Sequence, residues 1–242
     1  MGNPRMLTSA SLPSMLFALG PKMDHDWLGI ANRLERFRNR HNGEQLVLIC
    51  NGPSLNRVDF DRVRGKKLMG LNKIFLGFKR YRIYPFYYVA VNQEVLSQSY
   101  EQIRSLKCVN FIPAQADSSP LQKSPYTHWI KADLPPMGFS LDLCNGVHQG
   151  WTVTHVALQI AYFMGFQQVV IIGMDHKYHF TGIPNELANM TGPDPNHFSQ
   201  DYFQNLAWNN PDLHSAEDAF RIARHTYEAA GRSIIDCTED GA

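Results

Sequence analysis

Leu46-Val47-Leu48-Ile49-Cys50 runs without a polar interruption into Asn51-Gly52-Pro53-Ser54. A run with no polar alternation has no solvent face, so it reads as a strand buried on both sides and ended by turn residues. Further runs of this kind are Lys67 to Gly70 ahead of Leu71-Asn72, Tyr87 to Val91 ahead of Asn92, Cys108 to Ile112, Val169 to Ile172 ahead of Gly173-Met174-Asp175, and Ser233 to Ile235. Between them lie helical patterns: Glu94 to Leu106, Thr152 to Met164 with Gly165 as its stop, and Ser215 to Ala230 opened by Ser215 and Asp218 as a capping box. In the Thr152 helix, Val153, Val156, Ala157, Ile160, Ala161 and Met164 share one face, while Leu158 and Phe163 make the other face apolar as well. All-apolar strands alternating with helices predict an α/β fold: a Rossmann-like, mostly parallel sheet with helices on both faces.

The 242 residues suffice for one full-sized domain with a short extension. With 44% hydrophobic and 19% charged residues, the composition excludes a disordered or fibrous chain. A net charge of +1 provides no field to draw the protein onto a phosphate backbone, so no nucleic-acid partner is expected. Cys50, Cys108, Cys144 and Cys237 are scattered without a C-x-x-C pair. They read as free thiols of a reducing cytosol, not as a metal or redox site. No apolar run approaches the roughly 20 residues of a membrane helix. The short patch Met15 to Leu19, bracketed by Pro13 and Pro21, makes a poor signal peptide, and Met6 stands where a myristoylation motif after Met1-Gly2 needs Ser or Thr. The expected location is the cytoplasm.

Residues 1–42 read as an N-terminal extension to a main domain at 43–242. Asp24-His25-Asp26 opens a helix with Trp27, Ile30, Leu34 and Phe37 on one face and Arg33, Arg36, Arg38 and Arg40 largely elsewhere. Packing of that helix on the main domain is the first expectation. Peripheral association with the inner face of a membrane is the second, because basic amphipathic helices also do that. Self-association into a homo-oligomer is left open. The chain ends at Asp240-Gly241-Ala242 soon after its last strand, so a fragment of a longer protein is also compatible with it.

Ligands of open parallel sheets bind beyond the carboxyl ends of the strands. Three strand ends carry Asn51, Asn72 and Asn92, whose carboxamides offer donors and acceptors without charge and can grip a base edge, a ribose and a phosphate. Gly52 permits close backbone approach, Ser54 can contact a phosphate, and Pro53 between them is counted with the nucleotide-binding residues. Thr152 opens a helix whose free N–H groups attract an anion. Gly173 and Asp175 follow the most hydrophobic strand, where they suit a ribose or a metal. No G-x-G-x-x-G and no P-loop is present, which disfavours standard NAD binding and P-loop chemistry.

The stretch 176–214 is long, aperiodic and rich in Pro, Asn, His and aromatics, and reads as a lid. It supplies His176, His179, His197 and His214 as candidate bases, together with Tyr178, Tyr202 and Trp208. Metal binding by these histidines finds no H-E-x-x-H pattern or cysteine partner, so no metal site is expected.

Taken in order, Cys50-Asn51-Gly52-Pro53-Ser54-Leu55, Gly70-Leu71-Asn72-Lys73-Ile74, Tyr87 to Asn92, the helix and strand from Thr152 to Asp175, and Asp194-Pro195-Asn196-His197-Phe198 with Asp201-Tyr202-Phe203 resemble the MptE-like family. They are also similar to the bacterial lipooligosaccharide sialyltransferases, and the resemblance spans roughly residues 45 to 240. It implies a single Rossmann-like domain with a lid and a CMP-sugar lying across the strand ends. The asparagines at 51, 72 and 92 would line the nucleotide, with Gly52, Ser54 and Gly173 at its backbone contacts and Thr152 near a phosphate or ribose. The base is then His197 or His214, and Tyr178, ahead of Tyr202, would stand near the leaving phosphate. The function implied is transfer of a nonulosonic acid from a nucleotide-sugar donor to a surface-glycan acceptor, with no obligatory cofactor. The alternatives are transfer of diphosphate from ATP to a 6-hydroxymethylpterin, which needs Mg2+, and a non-catalytic module of a glycan-assembly complex.

Overall fold

The computed structural model describes residues 27–114 and 124–239. The expectations for the myristoylation motif after Met1-Gly2, the Met15 to Leu19 patch, the Asp24-His25-Asp26 helix opening and Asp240 to Ala242 lie outside the described residues.

Seven strands form one sheet: β1 (Gln45–Ile49), β2 (Lys67–Leu71), β3 (Tyr87–Val89), β4 (Val109–Pro113), β5 (Thr127–Ile130), β6 (Gln168–Ile172) and, last in the chain, β9 (Ser233–Asp236). Their order is β5-β4-β3-β2-β1-β6-β9, and every pairing is parallel. β7 (Leu187–Asn189) and β8 (Ala207–Asn209) make a separate antiparallel hairpin inside the 176–214 segment. The helices are α1 (Trp27–Glu35), α2 (Phe78–Tyr81), α3 (Gln93–Gln98), α4 (Tyr100–Ser105), α5 (Val153–Phe163) and α6 (Leu213–Ala229).

Side chains alternate across the strands, and both faces are buried. Leu46, Leu48, Met69, Leu71 and Val89 join the core that holds α5, while Val47, Ile49, Leu68, Tyr88 and Ala90 join a second core that reaches Phe198, Tyr202, Phe203 and Trp208. This is the Rossmann-like α/β sheet expected from uninterrupted apolar strands, each strand serving two cores at once. β5 was not anticipated, because Thr127-His128-Trp129-Ile130 is short and half polar.

Helix α5 is wrapped on all sides: from Thr154 to Ala161 every residue is buried. Its carboxyl-terminal carbonyls are met by the chain following α1, where Asn39 N–H donates to Phe163 O at 3.0 Å and His41 N–H to Met164 O at 2.8 Å. Ile30, Leu34 and Phe37 are buried in the same core as α5. The apolar face of α1 is therefore occupied within the domain, and the extension and the sheet share one core.

Three helix expectations are corrected. Helix α1 ends at Glu35, so Arg36, Phe37, Arg38 and Arg40 lie in the turns that follow it and not on its faces. The span 94–106 breaks into α3 and α4 at Ser99, which leaves helical geometry at φ −133. Beside the break, the Gln98 side chain donates to Ala207 O at 2.7 Å and accepts from Lys73 Nζ at 2.8 Å, so tertiary hydrogen bonds hold this end. Helix α6 is capped by Asp212, which accepts from Ser215 N, and not by Ser215 with Asp218.

Gly165 ends α5 at φ +88, and a Cβ there would lie 2.9 Å from Asn39 Cα. Gly165→Ala is expected to cost about 3 kcal/mol in urea denaturation, since strain and a backbone clash add together. Gly231→Ala, at φ +69 with open space around it, should cost about 1 kcal/mol. Equal costs would mean that the contact with the α1 tail is unimportant.

Candidate active site

β1 lies between β2 and β6, with Ile49 paired to Gly70 on one side and Ile172 on the other. The chain leaves β1 toward β2 and leaves β6 toward β9, in opposite directions, which opens a crevice beyond the ends of these two neighbouring strands. A cavity of about 390 Å3 fills it. Asn51, Asn72 and Asn92 all line this cavity, with Gly52, Gly173 and Asp175, the start of α5 around Thr152, and Tyr178, His197 and Tyr202 from the 176–214 segment.

Each asparagine is held differently. Asn51 donates through Nδ2 to Leu71 O at 3.1 Å, which fixes the amide and leaves Oδ1 buried without a partner. Asn72 sits at φ 46, and its carbonyl oxygen on the main chain accepts from the Tyr88 hydroxyl at 2.6 Å. Its side-chain Oδ1 is likewise buried and unpartnered. Asn92 spends Oδ1 capping α3, accepting from Val95 N at 3.0 Å. A buried acceptor left unpaired costs about 1–3 kcal/mol. Asn51 and Asn72 thus line one cavity, and each keeps a buried acceptor unpaired.

Asp175 ties β6 to the turn after β1. Its carboxylate accepts from Ser54 N at 3.2 Å and from Ser54 Oγ at 2.5 Å. A Cβ on Gly52 would lie inside that carboxylate, so only glycine permits the approach. Ser54 is fully buried, and neither it nor Pro53 reaches the cavity wall. The expected phosphate contact by Ser54 is therefore corrected: its hydroxyl is committed to Asp175, and Pro53 opens the short 3-10 turn Pro53–Arg57.

His197 is braced by Asp194, whose side chain is fully buried and whose Oδ2 lies 2.8 Å from His197 Nδ1. Asp194 Oδ1 also accepts from Asn196 N at 2.8 Å. The imidazole stacks on Tyr202 with centroids 3.9 Å apart and 3° between the planes. With Nδ1–H donating to the carboxylate, Nε2 is the acceptor nitrogen, and no described residue hydrogen-bonds it. His214 is not brought to this cavity. Its side chain is 86% exposed on the first turn of α6, 3.9 Å from Asp218. Tyr178 lines the cavity edge-on to His197, and burial raises its phenol well above the ordinary value, so it is held as a donor. Cys50, also in the wall, has its thiol pushed up to about 12 by burial and is no nucleophile at neutral pH.

Thr152 is the N-cap of α5, accepting from Thr154 N at 3.3 Å. Just before it, Gly150 and Trp151 both take left-handed backbone, at φ 56 and φ 55. For a bulky residue such as Trp151 this is strained, and the strain sits in the cavity wall at the helix terminus. From the sequence Asp194 enters only within the Asp194-to-Phe198 motif and as a rim carboxylate, with no role as partner of His197, and Trp151 only as a rim residue before Thr152. A D-x-x-H spacing was the available signal for Asp194, and nothing in the sequence marked the backbone of Trp151.

Lys73 was missed as well. It is 3% exposed. Its Nζ donates to Tyr202 O at 2.7 Å and to Gln98, lies 4.3 Å from the Phe203 ring centroid, and its backbone N–H donates to the Tyr202 hydroxyl at 3.2 Å. Lys73 thereby pins the residue on which His197 stacks. Burial pulls its ammonium down to about 8, opposed by the nearby Asp194 charge.

No protein-family sequence profile matches the chain, and no curated protein matches it. Among solved structures, the fold is similar to the MAf glycosyltransferase from Magnetospirillum magneticum AMB-1, with a TM-score of 0.50 and 12% sequence identity. The match covers 88% of this chain and 38% of that one, so the chain spans well under half of its neighbour's length. At this identity the likeness shows the fold.

The lowered Lys73 ammonium has a consequence for stability. Between about 8 and the ordinary 10.5 the unfolded chain binds a proton that the folded chain has released, so this group adds stability as pH rises through that window. The buried phenols of Tyr88, Tyr202 and Tyr227 are raised and act oppositely at alkaline pH, so a difference measurement is needed. The melting-temperature gap between wild type and Lys73→Met should move in favour of wild type from about pH 7 to about pH 9.5. A gap that does not change with pH would exclude Lys73 as the titrating group.

Proposed function

We propose that the chain is a nucleotide-sugar glycosyltransferase whose donor is a CMP-activated nonulosonic acid. The observation that carries this reading is the chemistry of the cavity wall. Two unpaired asparagine acceptors stand beside a carboxylate-braced histidine, and among the described residues no Lys or Arg lines the cavity. A nucleoside diphosphate or triphosphate carries charge that proteins ordinarily meet with a metal, arginines or lysines. A CMP-nonulosonate carries two separate single charges, its phosphodiester and its sugar carboxylate, and the N-terminus of α5 can meet one of them with backbone N–H groups. The exocyclic amine of cytosine and the ribose hydroxyls are donors that suit Asn51 and Asn72.

In the proposed reaction the acceptor hydroxyl oxygen attacks the anomeric carbon while the bond from that carbon to the CMP phosphate oxygen breaks. Configuration inverts. The hydroxyl proton passes to His197 Nε2, and Asp194 stabilises the imidazolium that forms. CMP departs with the bonding pair on its phosphate oxygen, stabilised by the Tyr178 hydroxyl and by the α5 terminus. The diphosphokinase alternative needs a carboxylate to hold Mg2+. In the cavity wall Asp175 is hydrogen-bonded to Ser54 and Asp212 to Ser215 and Asn185, which leaves Glu94 as the single uncommitted carboxylate of the described lining and supports the metal-independent reading. No helix among the described residues is long and apolar enough to cross a membrane, and action at the inner membrane face remains part of this proposal.

Thermal unfolding with CMP, with ATP and with ATP plus Mg2+ tests the reading. CMP should raise the melting temperature without metal. Stabilisation only by ATP with Mg2+ would favour the diphosphokinase, and stabilisation by neither would remove both enzymes. In a CMP-release assay with a CMP-nonulosonate donor and a glycan acceptor, His197→Ala should lower turnover about 10²–10⁴-fold and leave the CMP-induced shift in place. His214→Ala should change neither, and full activity of His197→Ala would exclude the histidine as base.

A further inference from the structure

Hairpin β7–β8 has cavities on two sides. Leu187 and Asn209, which pair across it, line the nucleotide-sized cavity, while Ala188 faces the other side. There a second cavity of about 480 Å3 opens, lined by His179, Phe180, Thr181 and Met190. Trp208 and Asn210 belong to both walls, so they form the partition between the two cavities.

Asn210 is 1% exposed. Its Nδ2 is held by Thr181 O at 2.8 Å and by Ile183 O at 3.2 Å, while its Oδ1 is buried with no partner. The partition therefore carries an oriented, unsatisfied acceptor. Trp208 lies 6.5 Å, centroid to centroid, from the His197 ring, so the candidate base borders this same partition. The second wall contains no Asp, Glu, Lys or Arg among the described residues. Neutral amides and hydroxyls next to aromatic and thioether surface suit a ligand that is uncharged, hydroxylated and apolar on one face.

We propose that this second cavity is the acceptor subsite and seats a neutral pyranose, whose hydroxyl reaches His197 over the edge formed by Trp208 and Asn210. The assignment rests on the glycosyl-transfer reading and specifies its acceptor. The displacement requires the acceptor oxygen to reach the anomeric carbon on the face opposite the CMP oxygen, so the seated pyranose projects that hydroxyl past Trp208 and Asn210 into the first cavity.

The test uses the full chain with CMP bound and methyl β-galactopyranoside as the probe, read by saturation-transfer NMR. Wild type should transfer saturation to the pyranose ring protons. Met190→Trp, which fills the second cavity, should reduce that transfer about tenfold while leaving the CMP-induced thermal shift unchanged. Thr181→Trp, at an exposed rim position, serves the same purpose should Met190→Trp fail to fold. Absence of transfer in wild type, undiminished transfer in the filled variant, or stronger transfer to a methyl glucuronide than to the neutral probe would overturn the assignment. A CMP shift without pyranose binding removes the acceptor subsite alone. Pyranose binding without a CMP shift removes the donor reading and, with it, the acceptor role.

Discussion

The position of β1 between β2 and β6 is the constraint on which the cavity depends. The chain passes from β1 to β2 on one side and from β6 to β9 on the other, so these crossovers leave open the space beyond the carboxyl ends of β1 and β6. The Asp175 carboxylate then clamps the end of β6 to the turn after β1 through the Ser54 N–H and hydroxyl, and glycine at 52 lets the two approach. Asn51 and Gly173 are positioned by that clamp, and Asn72 and Asn92 follow from the parallel order of the next two strands. Two of these amides retain unpaired acceptors, a local instability that a ligand with donors would relieve.

Opposite the strand ends, the second half of the 176–214 segment, from Asp194 to Asn210, packs into the protein, while its first half is mostly exposed. Phe198, Tyr202, Phe203 and Trp208 are buried in the second core, and the Lys73 ammonium reaches up to hold Tyr202. The stack of His197 on Tyr202 and its bond to Asp194 follow from that anchoring. An unpaired ammonium at this depth would cost several kcal/mol. The carbonyl, amide and ring faces around Lys73 reduce the cost, and its lowered proton affinity records what remains. The orientation of the His197 ring is thus coupled to a residue outside the cavity. The helix preceding the sheet has a comparable indirect role: the chain after α1 caps α5, the helix whose opposite end borders the cavity.

Much of this architecture was determined by the sequence alone. Strands buried on both faces must be apolar throughout, so Leu46 to Cys50 and Val169 to Ile172 declared a parallel sheet, and asparagines placed directly after strands had to lie on one rim. Tertiary structure decided how those rim residues are spent. Ser54 and Asp175 are 121 residues apart and consume each other's hydrogen-bonding capacity. Lys73 and Tyr202, 129 apart, bury a charge that local sequence would assign to solvent. His214 and His197 looked alike as loop histidines, yet one is exposed on a helix and the other is locked against a buried carboxylate. The break at Ser99 likewise depends on Lys73 and Ala207, not on local propensity. Periodicity records which faces meet a core, because burial acts on every residue of an element. A single hydrogen bond between distant residues leaves no periodic trace, so the roles of individual polar groups emerge only when the chain has closed.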